Sequence, residues 1–212
     1  MESHHDKGAN HVTAVLSRAQ LFARGARGGA AILAAGSATG FFAGSATADV
    51  IPDGDLAYAR LLVGAELLAS DFYAKAIASK RFTGGALKYL KRAVFNEQEH
   101  YQSMAGILTG AGQTAATAED FDFSYPKGSF ASKLSIAKLG VTLETLFLGA
   151  YLGAVDGLLS AGFKQPVARI AASEAEHLSV LTRFSGGNPV GISFPEALTI
   201  DEASNAMDAY TS

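Results

Sequence analysis

The sequence predicts an all-α protein: an antiparallel four-helix bundle with a long crossover between its second and third helices and a short C-terminal helix. Three observations carry this. Four stretches repeat apolar residues at the helical period. The links joining them run short, long, short. Two of the stretches contain a Glu-x-x-His motif, each about thirty residues after a Glu set among apolar neighbours.

Composition agrees. A chain of 212 residues with 49% hydrophobic content can bury a real core, and its five prolines lie mostly outside the periodic stretches. The net charge of −3 provides no electrostatic footing for nucleic acid. Cysteine is absent, which excludes thiolate metal sites, iron–sulfur clusters and disulfides.

Residues 1–48 read as an export leader. Arg18, Arg24 and Arg27 precede a weakly apolar Gly/Ala stretch from Gly28 to Gly44, and Ala46-Thr47-Ala48 supplies a small-x-small cleavage signal. The long polar lead-in resembles a twin-arginine export signal, although Ala19 follows Arg18 where that signal has its second arginine. An uncleaved amphipathic leader is the alternative. The apolar run is interrupted by Gly, Ser and Thr, so no clean membrane span is expected once the leader is removed.

Residues 49–186 are expected to form the bundle. The first helix, about Asp55 to Ser79, lines up Leu62, Val63, Glu66, Ala69, Ser70, Tyr73 and Ile77 on one side. Thr83 caps the second, which runs to about Leu108 with Leu90, Val94, Glu97, His100, Tyr101, Met104 and Ile107 inward. The link from Gly110 to Gly128 has no helical period and is too long for a tight turn, so it suits a crossover along the bundle. The third helix, about Ser132 to Ser160, gathers Leu134, Val141, Glu144, Phe147, Leu148, Tyr151 and Val155. The fourth starts near Gln165-Pro166, where proline is tolerated in a first turn, and continues through Ile170, Glu174, His177 and Leu181 to Phe184. In the tail, residues 187–212, Thr199-Ile200-Asp201-Glu202 is a capping-box pattern that opens a short helix on the outside of the bundle.

The chemistry rests on Glu97-Gln98-Glu99-His100 and Glu174-Ala175-Glu176-His177. Positions i and i+3 share a helix face, so each motif aims a carboxylate and an imidazole at one point. Glu66 precedes the first motif and Glu144 the second, and Tyr73 and Tyr151 each stand seven residues past that lone Glu. The halves therefore repeat, as a duplicated helical hairpin would. His4, His5 and His11 lie in the leader, which leaves His100 and His177 as the only histidines of the expected mature domain. Four unpaired carboxylates on apolar stripes would each cost several kcal/mol, and Arg60, Lys75, Lys80, Lys88, Lys91 and Arg92 fall largely off those stripes. Two divalent ions would cancel the charge. Candidate metal ligands are thus Glu66, Glu97, His100, Glu144, Glu174 and His177. Tyr73 and Tyr151 are either core fillers or groups that hydrogen-bond a bridging carboxylate or donate an electron. Glu99 and Glu176 point away from the metal-facing side, and Asp71 and Asp156 belong to the outer face. Oxygen and imidazole donors without sulfur suit iron or manganese.

These six residues resemble the ligand set of the ferritin-like di-iron carboxylate superfamily, which includes ferritins, bacterioferritins, rubrerythrins and manganese catalases. The resemblance covers about Asp55 to Phe184 and implies a ferritin-like four-helix bundle holding two Fe ions, or alternatively Mn. It implies Glu97 and Glu144, or Glu66 and Glu174, as bridging or terminal carboxylates. The leader, the Glu-x-Glu-His repeats and Phe194-Pro195-Glu196-Ala197-Leu198-Thr199 look more like bacterial ferritin-like proteins related to plant desiccation-associated proteins. That likeness implies export to the periplasm or cell envelope. Rubredoxin-type cysteines are missing, which removes that electron-transfer partner.

The expected function is a di-iron oxidoreductase that oxidises Fe(II) or reduces O2 or H2O2 in iron or oxidative-stress handling, with an oxygenase or dimanganese catalase as variants. The alternative is a non-catalytic exported stress protein whose metal is structural, and cage storage of iron by a homo-oligomer is a third possibility.

Overall fold

The computed structural model describes residues 51–211. The expected leader, residues 1–48, lies outside the described residues. Five α-helices follow in order: α1 (Asp53–Ala78), α2 (Gly84–Gly110), α3 (Lys133–Gly157), α4 (Ala161–Phe184) and α5 (Ile200–Asp208). The first four form the bundle. α1 packs along α2 and α3 along α4, giving two hairpins that meet across an α1–α3 seam and a sparser α2–α4 seam.

The crossover sets how the hairpins dock. At its start Arg60 donates to Gln113 Oε1 (2.9 Å), beside the beginning of α1. Near its end the Phe130 ring lies 6.2 Å from that of Phe72, towards the far end of α1. The connection therefore climbs the length of the bundle and returns α3 antiparallel to α1. It is not wholly without helical order, because Ala118–Asp120 forms a 3-10 turn closed by a reciprocal Thr117–Asp120 capping box. Aromatic residues fasten the strap. Phe121 stacks on Phe123, Tyr125 packs on Phe130 and Tyr210, and the Tyr125 hydroxyl donates to Asp71 (2.8 Å).

At the other end of the bundle Asp55 joins three helices. Its two carboxylate oxygens accept from the backbone N–H groups of Leu159 and Ser160 at 2.9 and 2.8 Å. Those donors open α4 and have no partner within the helix, so a side chain from α1 completes the α4 terminus. This contact also accounts for a correction. α4 begins at Ala161 rather than near Gln165, and Pro166 stands inside the helix instead of in its first turn. The turn forms early because the Ser160 carbonyl accepts from Phe163 and Lys164 (3.0 and 3.1 Å), and the Asp55 caps hold the entry. Pro166 then leaves the Gly162 carbonyl without its usual helical donor.

α3 departs from expectation in three ways. It ends at Gly157 rather than Ser160, where the chain turns extended at Leu158. Leu134, expected inward, is 49% exposed, and the buried face starts instead at Ile136 and Ala137. By length and composition α3 is also apolar enough to cross a membrane, contrary to the expectation of no such run. Its apolar surface is consumed inside the bundle: α1 and α4 cover two sides, while the tail and α5 cover a third. Two glycines make that last contact possible. A Cβ on Gly153 would fall 1.7 Å from the Leu198 carbonyl oxygen and one on Gly149 would meet the Leu198 side chain, while Leu198 N–H donates to the Gly149 carbonyl (2.9 Å). α5 starts at the predicted Thr199–Glu202 capping box and buries Ala203 against α1 and α3.

Removing the Asp55 carboxylate leaves two N–H groups at the α4 entry without an acceptor. Asp55→Ala is expected to lower unfolding free energy by about 1.5–3 kcal/mol in denaturant titration, the range for hydrogen bonds to a charged group. Burial acts to raise the Asp55 carboxyl, but the Leu159 and Ser160 hydrogen bonds, with Lys164 nearby, outweigh it and hold the group below its ordinary value. Its stabilising share is therefore present above the ordinary carboxylate range and is lost as the pH falls through the depressed value.

Candidate metal centre

All six residues expected to bind metal come together in the middle of the bundle. Ligand atoms of Glu66, Glu97, His100 and Glu174 lie within 4.8 Å of one another, and so do those of Glu97, Glu144 and His177. Glu97 belongs to both groups. Glu66, Glu144 and Glu174 each belong to one, so Glu97 is the carboxylate common to both groups. The ligand spacing comes from the helices themselves: three residues separate Glu97 from His100, and His100 Nδ1 lies 3.1 Å from Glu97 Oε2. His100 Nδ1 is also 3.0 Å from Glu174 Oε1 and 3.6 Å from Glu66 Oε2. His177 Nε2 is 3.6 Å from Glu97 Oε1. Glu99 and Glu176 are exposed, as is Asp156, while Asp71 pairs with Lys75 on the partly covered outer side.

The tyrosines pair crosswise. Tyr73 of α1 donates to Glu144 Oε1 of α3, and Tyr151 of α3 donates to Glu66 Oε1 of α1. Both rings are fully buried. They hold Glu144 and Glu66 rather than Glu97, so each tyrosine orients the lone Glu of the opposite hairpin.

Two further residues were not singled out from sequence. The Tyr89 hydroxyl lies 3.1 Å from His177 Nδ1 and 3.3 Å from the Tyr73 hydroxyl, and it donates to the His177 carbonyl (3.3 Å). Asn96 Nδ2 lies 3.2 Å from His177 Nε2. A signal was present: Tyr89, Asn96 and His100 follow one another by seven and four residues, which places all three on one face of α2.

The electrostatics are those of a cluster short of cations. Among the described residues the ion pairs of Glu66, Glu97 and Glu174 run to His100 and His177 and to no lysine or arginine, and Glu144 has none. Glu66 Oε2, Glu97 Oε1, Glu144 Oε2 and both oxygens of Glu174 are buried without a hydrogen-bond donor. The short approach of His100 to Glu174 Oε1 lies outside hydrogen-bonding alignment and acts through charge. Burial, then repulsion from Glu174, pushes Glu97 and Glu144 well above the carboxylate range, and burial raises Glu66 as well. Burial alone would lower His100, but the Glu174, Glu66 and Glu97 carboxylates beside it override that and push the imidazole up to about 12. His177 goes the other way, lowered by burial and by His100 despite Glu174. Without metal, these surroundings favour the protonated forms of His100, Glu97, Glu144 and Glu66.

These donors fit divalent metal. Five carboxylate oxygens lack any protein donor, oxygen and imidazole are hard-to-borderline ligands, and like charges crowd a water-poor core.

Fold and site together define a helical bundle with a carboxylate–histidine cluster at its centre. The family model for the ferritin-like domain matches residues 54–187, and the chain belongs to that family. No curated protein matches the chain.

The proton load sets a pH dependence. Glu97, Glu144 and Glu66 have folded values above the ordinary 4.5, and His100 has one above the ordinary 6.5. The folded state then binds more protons than the unfolded chain from about pH 4.5 upward, the lowered His177 offsetting only part of the gain, so the metal-free bundle loses stability as pH rises. Thermal melts of protein freed of metal are expected to give a higher Tm at pH 5 than at pH 8, with bound divalent metal narrowing the difference. A metal-free Tm that rises across this interval would contradict the assignment.

Proposed function

We propose that the chain is a di-iron carboxylate protein that oxidises Fe(II) at the expense of O2 or peroxide. The observation that carries this reading is the single cluster of Glu66, Glu97, His100, Glu144, Glu174 and His177, with donor-free oxygens on all four glutamates. Glu66, Glu97, His100 and Glu174 would hold one ion; Glu97, Glu144 and His177 would hold the other. Iron in such a site supplies one-electron steps, so that two Fe(II) reduce one H2O2 to water with uptake of two protons.

The protein's part is positioning, proton exchange and exclusion of water. Tyr73 and Tyr151 keep the Glu144 and Glu66 carboxylates from rotating, which holds the outer ligands in place before iron arrives. His100 and the raised carboxyls must release protons as cations enter, and those protons lie where reduced oxygen needs them. The surrounding apolar packing, with Leu62, Leu68, Leu90, Met104 and Leu143 fully buried, keeps bulk water from the helix interior. The leader supports a reading of this activity as that of an exported protein guarding a cell envelope against iron or oxidant.

The test is anaerobic loading with Fe(II), then exposure to O2 or H2O2 while ferric absorbance is followed. Two Fe(II) per chain and oxidation at least tenfold faster than free iron are expected. Glu97→Ala, which removes the shared carboxylate, is expected to lose binding of both ions and the rate with them. Tight metal binding with no oxidant consumption would instead assign the metal a structural role.

A further inference from the structure

The two halves of the bundle repeat, yet the surroundings of the two histidines do not. With Glu97 matched to Glu174 and His100 to His177, Tyr89 of α2 corresponds to Pro166 of α4, and Asn96 corresponds to Ser173. The substitutions fall on one side of the seam. His177 receives a phenol and an amide from α2, whereas the matching positions beside His100 carry a proline and a serine.

The contacts around His177 are consistent with one placement of its ring proton. Asn96 Nδ2 is a donor only, and at 3.2 Å it requires Nε2 to accept. Nδ1 must then carry the ring proton. Two hydroxyl oxygens stand ready to accept it, Tyr89 at 3.1 Å and Tyr73 at 3.2 Å. Each of those hydroxyls has its own proton placed elsewhere, Tyr73 on Glu144 and Tyr89 on the His177 carbonyl. The ring and hydroxyl protons then all have acceptors, and Nε2, the nitrogen that faces Glu97 Oε1 at 3.6 Å, offers its lone pair to Asn96 alone. Asn96 covers that lone pair.

We infer that Tyr89 and Asn96 are positioning residues for the His177 metal position. Tyr89 fixes the tautomer and ring plane that make Nε2 a ligand, and Asn96 is a placeholder whose amide a cation must displace. The inference rests on the metal-binding reading above and makes the two positions unequal: the His100 position has no such guard. Asn96 and Tyr89 therefore act on the same ligand with opposite sign.

The opposition gives a test that a merely structural role would not pass. Co(II), whose visible absorption reports ligand geometry, is titrated into metal-free wild-type protein and into Asn96→Ala, Asn96→Ser and Tyr89→Phe variants, with calorimetry in parallel. His177→Gln identifies which binding step belongs to this position. Asn96→Ala and Asn96→Ser are expected to tighten that step roughly three- to tenfold, the worth of one amide hydrogen bond, and Tyr89→Phe to weaken it by a similar factor. The His100 step should stay within about twofold in every variant. Nitrogen-15 spectra of metal-free protein should show His177 with its proton on Nδ1. A His177 proton on Nε2, or shifts of the same sign in the Asn96 and Tyr89 variants, would overturn the inference and leave the metal reading standing. No Co(II) binding by wild type would overturn both.

Discussion

Four carboxylates buried at one point in an apolar bundle constrain everything else in this structure. Their burial away from water comes first in raising their carboxyl values, and mutual repulsion adds to it, because charges that are a few ångströms apart in a medium poor in water interact strongly. Only three remedies exist: protons, neighbouring cations from the protein, or metal. Lysine and arginine supply none of it among the described residues, since the ion pairs at the cluster run to the two histidines. Protons supply part, as the raised values of Glu97, Glu144 and His100 show. Yet protons leave five oxygens without a partner. A protein selected only for stability would exchange such residues for leucine. Their retention on four separate helices is the argument for a ligand.

The bundle is built so that the cluster cannot relax by spreading. Asp55 ties the start of α1 to the α3–α4 turn, and the crossover binds α1 again through Arg60, Asp71 and the aromatic row from Phe121 to Phe130. α5 and Leu198 press on α3 from outside, through glycines that admit backbone against backbone. These contacts lie on α1 and α3, the helices carrying the lone Glu residues and the two buried tyrosines. The crosswise Tyr73–Glu144 and Tyr151–Glu66 bonds then turn the α1–α3 seam into one unit. Rigidity is concentrated on the side that supplies the outer carboxylates.

How much of this could be read from the sequence follows from the range of each interaction. Glu97 with His100 and Glu174 with His177 are local, one helical turn apart, so spacing alone announces them. Glu66 and Glu144 were legible because they break apolar stripes, which only a partner can excuse. The capping box at Thr199 is local too, and it stands where expected. What escaped is contact between helices. Asp55 reads as an ordinary first-turn acid until the α4 entry folds onto it. Tyr89 and Asn96 resemble surface residues of α2 until His177 arrives from the other hairpin. Leu134 obeys the helical period but lies in the first turn of α3, before any neighbour covers it. The helix α4 boundary failed for the same reason: proline argues for a first turn only when nothing upstream holds the chain, and here the Asp55 cap does.

The remaining asymmetry concerns access. Of the six candidate ligands, His100 alone keeps appreciable exposure, 12% of its side chain, and the other five are buried. It lies on the α2–α4 seam, the sparser of the two joins between hairpins and the one that α5 leaves uncovered. A cation approaching from solvent therefore meets His100 and its three carboxylates first, and reaches His177 only past Asn96 on the same α2 face. The duplicated hairpin supplies two overlapping groups of candidate ligands, one of four residues and one of three, and the residues that are not duplicated distinguish them further. The break in symmetry at Tyr89 and Asn96 explains why the two positions need not behave alike.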